Sequence, residues 1–216
     1  MRKAISFFLT CSIILSCAPT VFAANSEPTA PLTAPDTISA MLINEDGEAV
    51  EIIGQKLEAN PSAPCMASPA SLPQPQSTIY EFEITRAALE TGDTSRQGTD
   101  GSVSVRINAR IFYNIDNTTG VPKYCLTRAT GNWTILDSSV TVTNASVKVN
   151  CYDSFVSWQT ATYDDVSNYY SIYTGFTNYV PNNPPYSMVG SQTTVDLKMT
   201  KGNSTRTWSF TLNCTL

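Results

Sequence analysis

The chain has 216 residues, a formal net charge of −5 and no histidine. Without an imidazole, Ser-His-Asp and Cys-His catalysis and His-ligated zinc are excluded. An acidic chain with no cluster of Lys or Arg also lacks the cations that phosphate backbones require, which excludes nucleic acid as a partner.

Residues 1–23 read as an export signal. Arg2 and Lys3 supply the positive start, Ala4 to Ala18 the apolar run, and Val21-Phe22-Ala23 the small residues read by a signal peptidase, with the cut after Ala23. The run is shorter than the roughly 20 residues of a membrane span, so secretion is expected rather than membrane residence. A second reading makes Ser16-Cys17 a lipidation site, with Cys17 anchoring the chain to the cell surface; Leu15 fits that pattern poorly. Removing Arg2 and Lys3 takes the net charge from −5 to −7.

Residues 24–38 are Ser, Thr, Ala and Pro with little to bury, and read as a flexible leader. Residues 39–57 read as a β-hairpin, because Asp46-Gly47 separates two short apolar-rich runs and both residues tolerate positive φ. Residues 58–77 form a Pro/Ala/Ser-rich loop carrying Cys65, since proline removes the donors that a ladder needs. Residues 78–216 then read as a β-sandwich domain.

Within that domain, Tyr80, Phe82 and Ile84 alternate with Glu81 and Glu83, and Ala87–Glu90 suits one helical turn. The longest alternation follows: Val103, Val105, Ile107, Ala109, Ile111 and Tyr113 share one face, opposite Ser104, Arg106, Asn108 and Arg110. If this strand pairs with the one before it, Arg106 and Arg110 become partners for Glu81 and Glu83. Short strands are expected at 123–129, 133–136, 140–143, 146–151, 157–163 and 169–176. A terminal pair follows, turning at Lys201-Gly202-Asn203. The spacing of these strands predicts an all-β, antiparallel β-sandwich, immunoglobulin-like or jelly-roll.

Four cysteines follow the signal: Cys65, Cys125, Cys151 and Cys214. An even number in an exported chain predicts two disulfides, with three connectivities open. Cys125 with Cys151, and Cys65 with Cys214, is the arrangement favoured here. No CxxC motif or metal-binding spacing occurs, so neither cofactor nor metal is expected.

Glu81 and Glu83 project from one strand face about 7 Å apart, a separation compatible with inverting glycosidases. Alternating glutamates also suit a solvent-facing strand that repels unwanted edge pairing. The denser signal is aromatic. Tyr163, Tyr170, Tyr173, Tyr179 and Tyr186 fall within one short stretch, beside Tyr169 and an Asn182-Asn183 loop. Such rings stack on sugars or anchor protein partners, and equally well fill half-buried sheets. Trp133, Trp158 and Trp208 read as core residues.

The Arg-Lys signal, the hairpin MLINEDGEAVEIIG, the strands YCLTRATGNWT and YTGFTNYV, and the closing TVDLK and TWSFTL together resemble small exported proteins of Gram-positive bacteria. The resemblance implies secretion and a β-rich fold, and it supplies no functional residues. The expected function is therefore a secreted, non-enzymatic binding or surface-interaction module, with carbohydrate or a cell-surface protein as partner. The alternatives are a structural, envelope-associated protein without a discrete ligand, and a glycan hydrolase using Glu81 and Glu83.

Overall fold

Alternating apolar residues build nearly every element of the chain. In a computed structural model, residues 36–59, 76–91, 102–155 and 157–216 are described. The signal, residues 24–35 of the expected leader and residues 60–75 of the expected Pro-rich loop, with Cys65, lie outside them, while residues 36–38, 58–59 and 76–77 are strand rather than leader or loop. The elements run β1 (Asp36–Asn44), β2 (Ala49–Ala59), β3 (Gln76–Thr85), α1 (Arg86–Thr91), β4 (Val103–Asp116), β5 (Lys123–Ile135), β6 (Val140–Asp153), β7 (Ser157–Tyr163), β8 (Tyr169–Tyr173), β9 (Val180–Pro181), β10 (Ser187–Lys201) and β11 (Ser204–Thr215). The described residues belong to one compact unit.

Strands β1 and β2 form the predicted hairpin. Gly47 takes φ +83° in its turn, and Asn44 Oδ1 accepts from the backbone N–H groups of Asp46 and Glu48 at 3.0 and 2.8 Å. Rather than standing apart, the hairpin is built into the main sheet, with β1 on β11 and β2 on β3. Strand β4 buries the row Val105, Ile107, Ala109, Ile111 and Tyr113, as the alternation requires. Strand β4 pairs edge to edge with β3, and on the other face Arg106 stands directly opposite Glu83. There the guanidinium reaches Glu83 Oε1 at 2.7 Å. Arg110 instead donates to Ser77 Oγ at 2.6 Å, because its cross-strand neighbour is Ile79 rather than a glutamate.

Two stacked sheets were expected; the strands form one. They are hydrogen-bonded in the order β7-β6-β10-β11-β1-β2-β3-β4-β5-β8, with β9 beside β5, and this antiparallel sheet curls into a half-barrel. Expected breaks turn out to be continuous strand. The run 123–135 becomes β5, crossing Gly131, and 140–153 becomes β6, crossing Asn144-Ala145, with a bulge at Thr143 because Asn144 faces Asp196 and Val142 faces Leu197. Further register shifts at Ile84/Thr85 and Phe112/Tyr113 add bends, and each bulge increases local twist and coiling.

The curl is visible in contacts that skip strands. Phe82 of β3 meets Phe210 of β11 edge-on at 5.6 Å between ring centroids, although two strands lie between them in the sheet. Tyr80 Oη donates to the carbonyl of Thr215 at 2.6 Å. Tyr170 Oη on β8 pairs with Thr193 Oγ1 on β10 at 2.8 Å. Helix α1 closes one end: Thr85 Oγ1 caps it by accepting from Ala88 N–H at 3.3 Å, and Trp208 Nε1 donates to Leu89 O at 3.0 Å.

The disulfide frame is not formed. Cys125, Cys151 and Cys214 are free, buried thiols, and Cys65 lies outside the described residues. Cys214 is sealed inside on β11, opposite Ser191, where burial pushes its thiol pKa up. Cys125 and Cys151 are neighbours: Cys151 Sγ lies 3.7 Å from the carbonyl of Tyr124, beside Cys125.

Candidate ligand-binding surface

Strand β7 alternates half-buried Ser157, Gln159, Ala161 and Tyr163 with exposed Trp158, Thr160 and Thr162. Trp158 thus stands in the polar, outward row and is 68% exposed, contrary to its reading as a core residue. Trp133 and Trp208 are buried. The β6–β7 register places Trp158 opposite Tyr152, and the rings lie 4.8 Å apart at 34°. Tyr152 in turn faces Met188 of β10. An apolar row Trp158–Tyr152–Met188 therefore crosses three strands of the outer face.

A second aromatic pair sits at the β6–β7 turn. Phe155 N–H is held by Asp153 Oδ1 at 2.8 Å, and Ser154 donates from both N–H and Oγ to the carbonyl of Tyr186, each at 2.8 Å. Those bonds set Phe155 beside Tyr186, ring centroids 6.1 Å apart. Phe155 is 81% and Tyr186 56% exposed, far more aromatic surface than a sheet end needs for its own packing.

Amides flank the rings. A concavity of about 200 Å³ is lined by Tyr152, Trp158, Met188, Lys148, Gln192 and Asn213, among others. Gln192 Nε2 donates to Asn213 Oδ1 at 2.9 Å, a bond that leaves the Gln192 oxygen and the Asn213 NH₂ for a ligand. Asn150 is held by Thr160 Oγ1, which donates to its Oδ1 at 2.9 Å. The result is a fixed aromatic shelf with amide donors and acceptors beside it and one cation, Lys148, at its side.

The predicted tyrosines do not converge on one patch. Tyr170 is a core residue: its ring fills the space over Gly131, where an added Cβ would overlap it, and burial raises its pKa. Tyr163 packs partly against the core. Tyr179 lies beside Ile115–Thr118. Tyr173 is exposed on β8, where Arg128 Nη1 donates to its hydroxyl at 3.2 Å. Arg128 also lies 3.9 Å over the Phe112 ring, which Arg110 approaches at 4.6 Å. These stacked cations and rings stiffen the outer face of β4, β5 and β8. Of these tyrosines only Tyr186 stacks on another exposed ring, Phe155 at the β6–β7 turn, and the shelf itself is built by Trp158 and Tyr152.

Glu81 and Glu83 are both exposed and line a broad groove of about 890 Å³ across the outer face of β1 to β4, together with Thr37, Gln55, Arg106 and Asn108. Arg106 covers Glu83 through Nε and Nη2, at 3.0 and 2.7 Å from the same oxygen. Glu83 is thereby engaged by a guanidinium on the exposed face of the sheet. Among the described residues, no three or more Cys, Asp or Glu side chains gather in a way that could hold a metal ion.

Comparison of the chain with protein-family models, with curated proteins and with solved structures returns no match.

Proposed function

We propose that this chain is an exported, non-enzymatic binding module whose ligand is a carbohydrate, held on the outer face of β7, β6 and β10. The observation that carries the reading is the exposed Trp158, fixed in place by Tyr152 and bordered by amides with unused hydrogen-bonding capacity. A pyranose ring offers one apolar face to an indole, while its hydroxyls pair with side-chain amides such as Gln192 and Asn213. Because the rings are already stacked on a sheet, binding costs little side-chain ordering.

A glycan array probed with the chain lacking residues 1–23 tests this. The reading predicts recognition of a defined set of glycans, weakened about tenfold by Trp158→Ala. An array without hits, or hits indifferent to Trp158, would reject it.

The groove over Glu81 and Glu83 supports a second reading, glycan hydrolysis by the carboxylate pair. Its test is turnover of bound glycans by the native chain and by the Glu81→Gln/Glu83→Gln variant. Hydrolysis abolished in the variant would establish it; intact glycans after long incubation with the native chain would dismiss it.

A further inference from the structure

We infer that Cys125 and Cys151 are a disulfide-forming pair that clasps the curled sheet shut, and that the thiol pair seen here is its reduced form. The two residues sit on β5 and β6, which are far apart along the sheet: the hydrogen-bonded path from one to the other passes through β10, β11, β1, β2, β3 and β4. Nevertheless Cys151 Sγ lies 3.7 Å from the carbonyl of Tyr124, the residue that precedes Cys125. The pair therefore sits where the two ends of the sheet approach each other.

Other contacts mark the same seam. Cys151 Sγ lies 3.3 Å from the carbonyl of Asn178 and 3.7 Å from that of Tyr124, and Cys125 Sγ lies 3.4 Å from the carbonyl of Phe176. Gln159 Oε1 on β7 accepts from the backbone N–H groups of Thr177 and Asn178, at 3.3 and 2.9 Å. Asn178 Nδ2 donates to Ser157 Oγ at 2.6 Å. The segment after β8 is thus tied to β7 by side chains alone, without a strand ladder. A covalent link at this seam fixes what those few polar contacts hold weakly.

The chemistry is thiol–disulfide exchange with a small-molecule or protein disulfide as oxidant. Either cysteine can attack first as its thiolate, and Cys151 is taken as the first here. The Cys151 thiolate attacks one sulfur of the oxidant and releases its first thiol. Cys125 sulfur then attacks Cys151 sulfur in the mixed disulfide, breaking that bond and releasing the second thiol. Two cysteine protons leave with the two thiols, and the oxidant is reduced as the pair is oxidised. Both sulfurs are buried in the closed sheet, so exchange takes place before the seam closes, during folding.

The test is a disulfide map of the full chain, recovered from an oxidising compartment, alkylated under denaturing conditions without reductant and digested with trypsin. The expected product joins the peptides Tyr124–Arg128 and Val149–Lys198 and separates on reduction. Reduction is also expected to lower the native melting temperature by more degrees than it lowers that of Cys125→Ala/Cys151→Ala. Full alkylation of Cys125 and Cys151, or linkage of either to Cys65 or Cys214, would overturn the assignment. The map uses the native sequence, so it stands even where the double variant fails to fold.

Discussion

Tyr170 and Trp158 show how aromatic side chains fill two roles according to strand phase. Tyr170 points inward, lies over Gly131 and shares a buried hydrogen bond with Thr193. Tyr170→Phe is expected to cost about 1 kcal/mol in denaturant unfolding, the typical net value of such a bond. Gly131→Ala is expected to cost about 1–3 kcal/mol, because its methyl must displace a packed ring. Trp158→Ala should leave stability nearly unchanged, since the indole is mostly in solvent; a large loss there would mean the residue is structural. The outward phase of Trp158 was readable from the sequence: it shares a row with Thr160 and Thr162, while Ala161 and Tyr163 take the other. What the sequence did not show is its cross-strand partner, because Tyr152 meets it only through the β6–β7 register. Counting tyrosines over a stretch overlooked this, as neighbours in sequence alternate faces and diverge at each turn.

Among the elements, α1 depends on charges drawn from distant strands. Glu90 accepts from Arg86 at 2.7 Å and from Lys201 at 2.9 Å, and Arg86 also reaches Asp137 at 3.3 Å. Hydrogen bonds from Arg86 and then Lys201 lower the Glu90 pKa, and the backbone and hydroxyl of Ser139, with Arg86 beyond, lower that of Asp137. Carboxylates depressed in the folded state stabilise it above their ordinary values, 4.5 for Glu90 and 3.8 for Asp137, and that stabilisation is lost as pH falls through the lower folded values. Melting followed by circular dichroism should therefore show a falling midpoint as acid is added below those ordinary values, with a shallower fall in Glu90→Gln. An equal slope in the variant would remove Glu90 from the account. The helix itself was legible in Ala87–Glu90, and the Arg106–Glu83 pair in the alternation of two strands. The continuity of β5 and β6 was not, because Gly131 and Asn144-Ala145 look like turns locally and are held as strand by partners far along the chain.

At the scale of the molecule, an all-β, antiparallel chain followed from alternation and turn spacing, whereas the single curled sheet did not. Strand order joins β1 to β11 and β6 to β10, pairings between distant parts of the chain that local pattern does not encode. The sheet ends on β7 and β8, so amide hydrogen exchange should be slowest in β10, β11 and β1, which have neighbours on both sides, and faster in β7 and β8. Uniform protection across all of them would contradict the open seam. The same architecture leaves the outer face of β7, β6 and β10 rigid and exposed, and the proposed function rests on that surface. Its most direct test is an amide and indole chemical-shift titration of the native chain with the strongest array glycan. The account predicts shifts centred on Tyr152, Trp158, Met188 and Gln192; shifts centred instead on Glu81, Glu83 and Arg106, or on neither face, would contradict it.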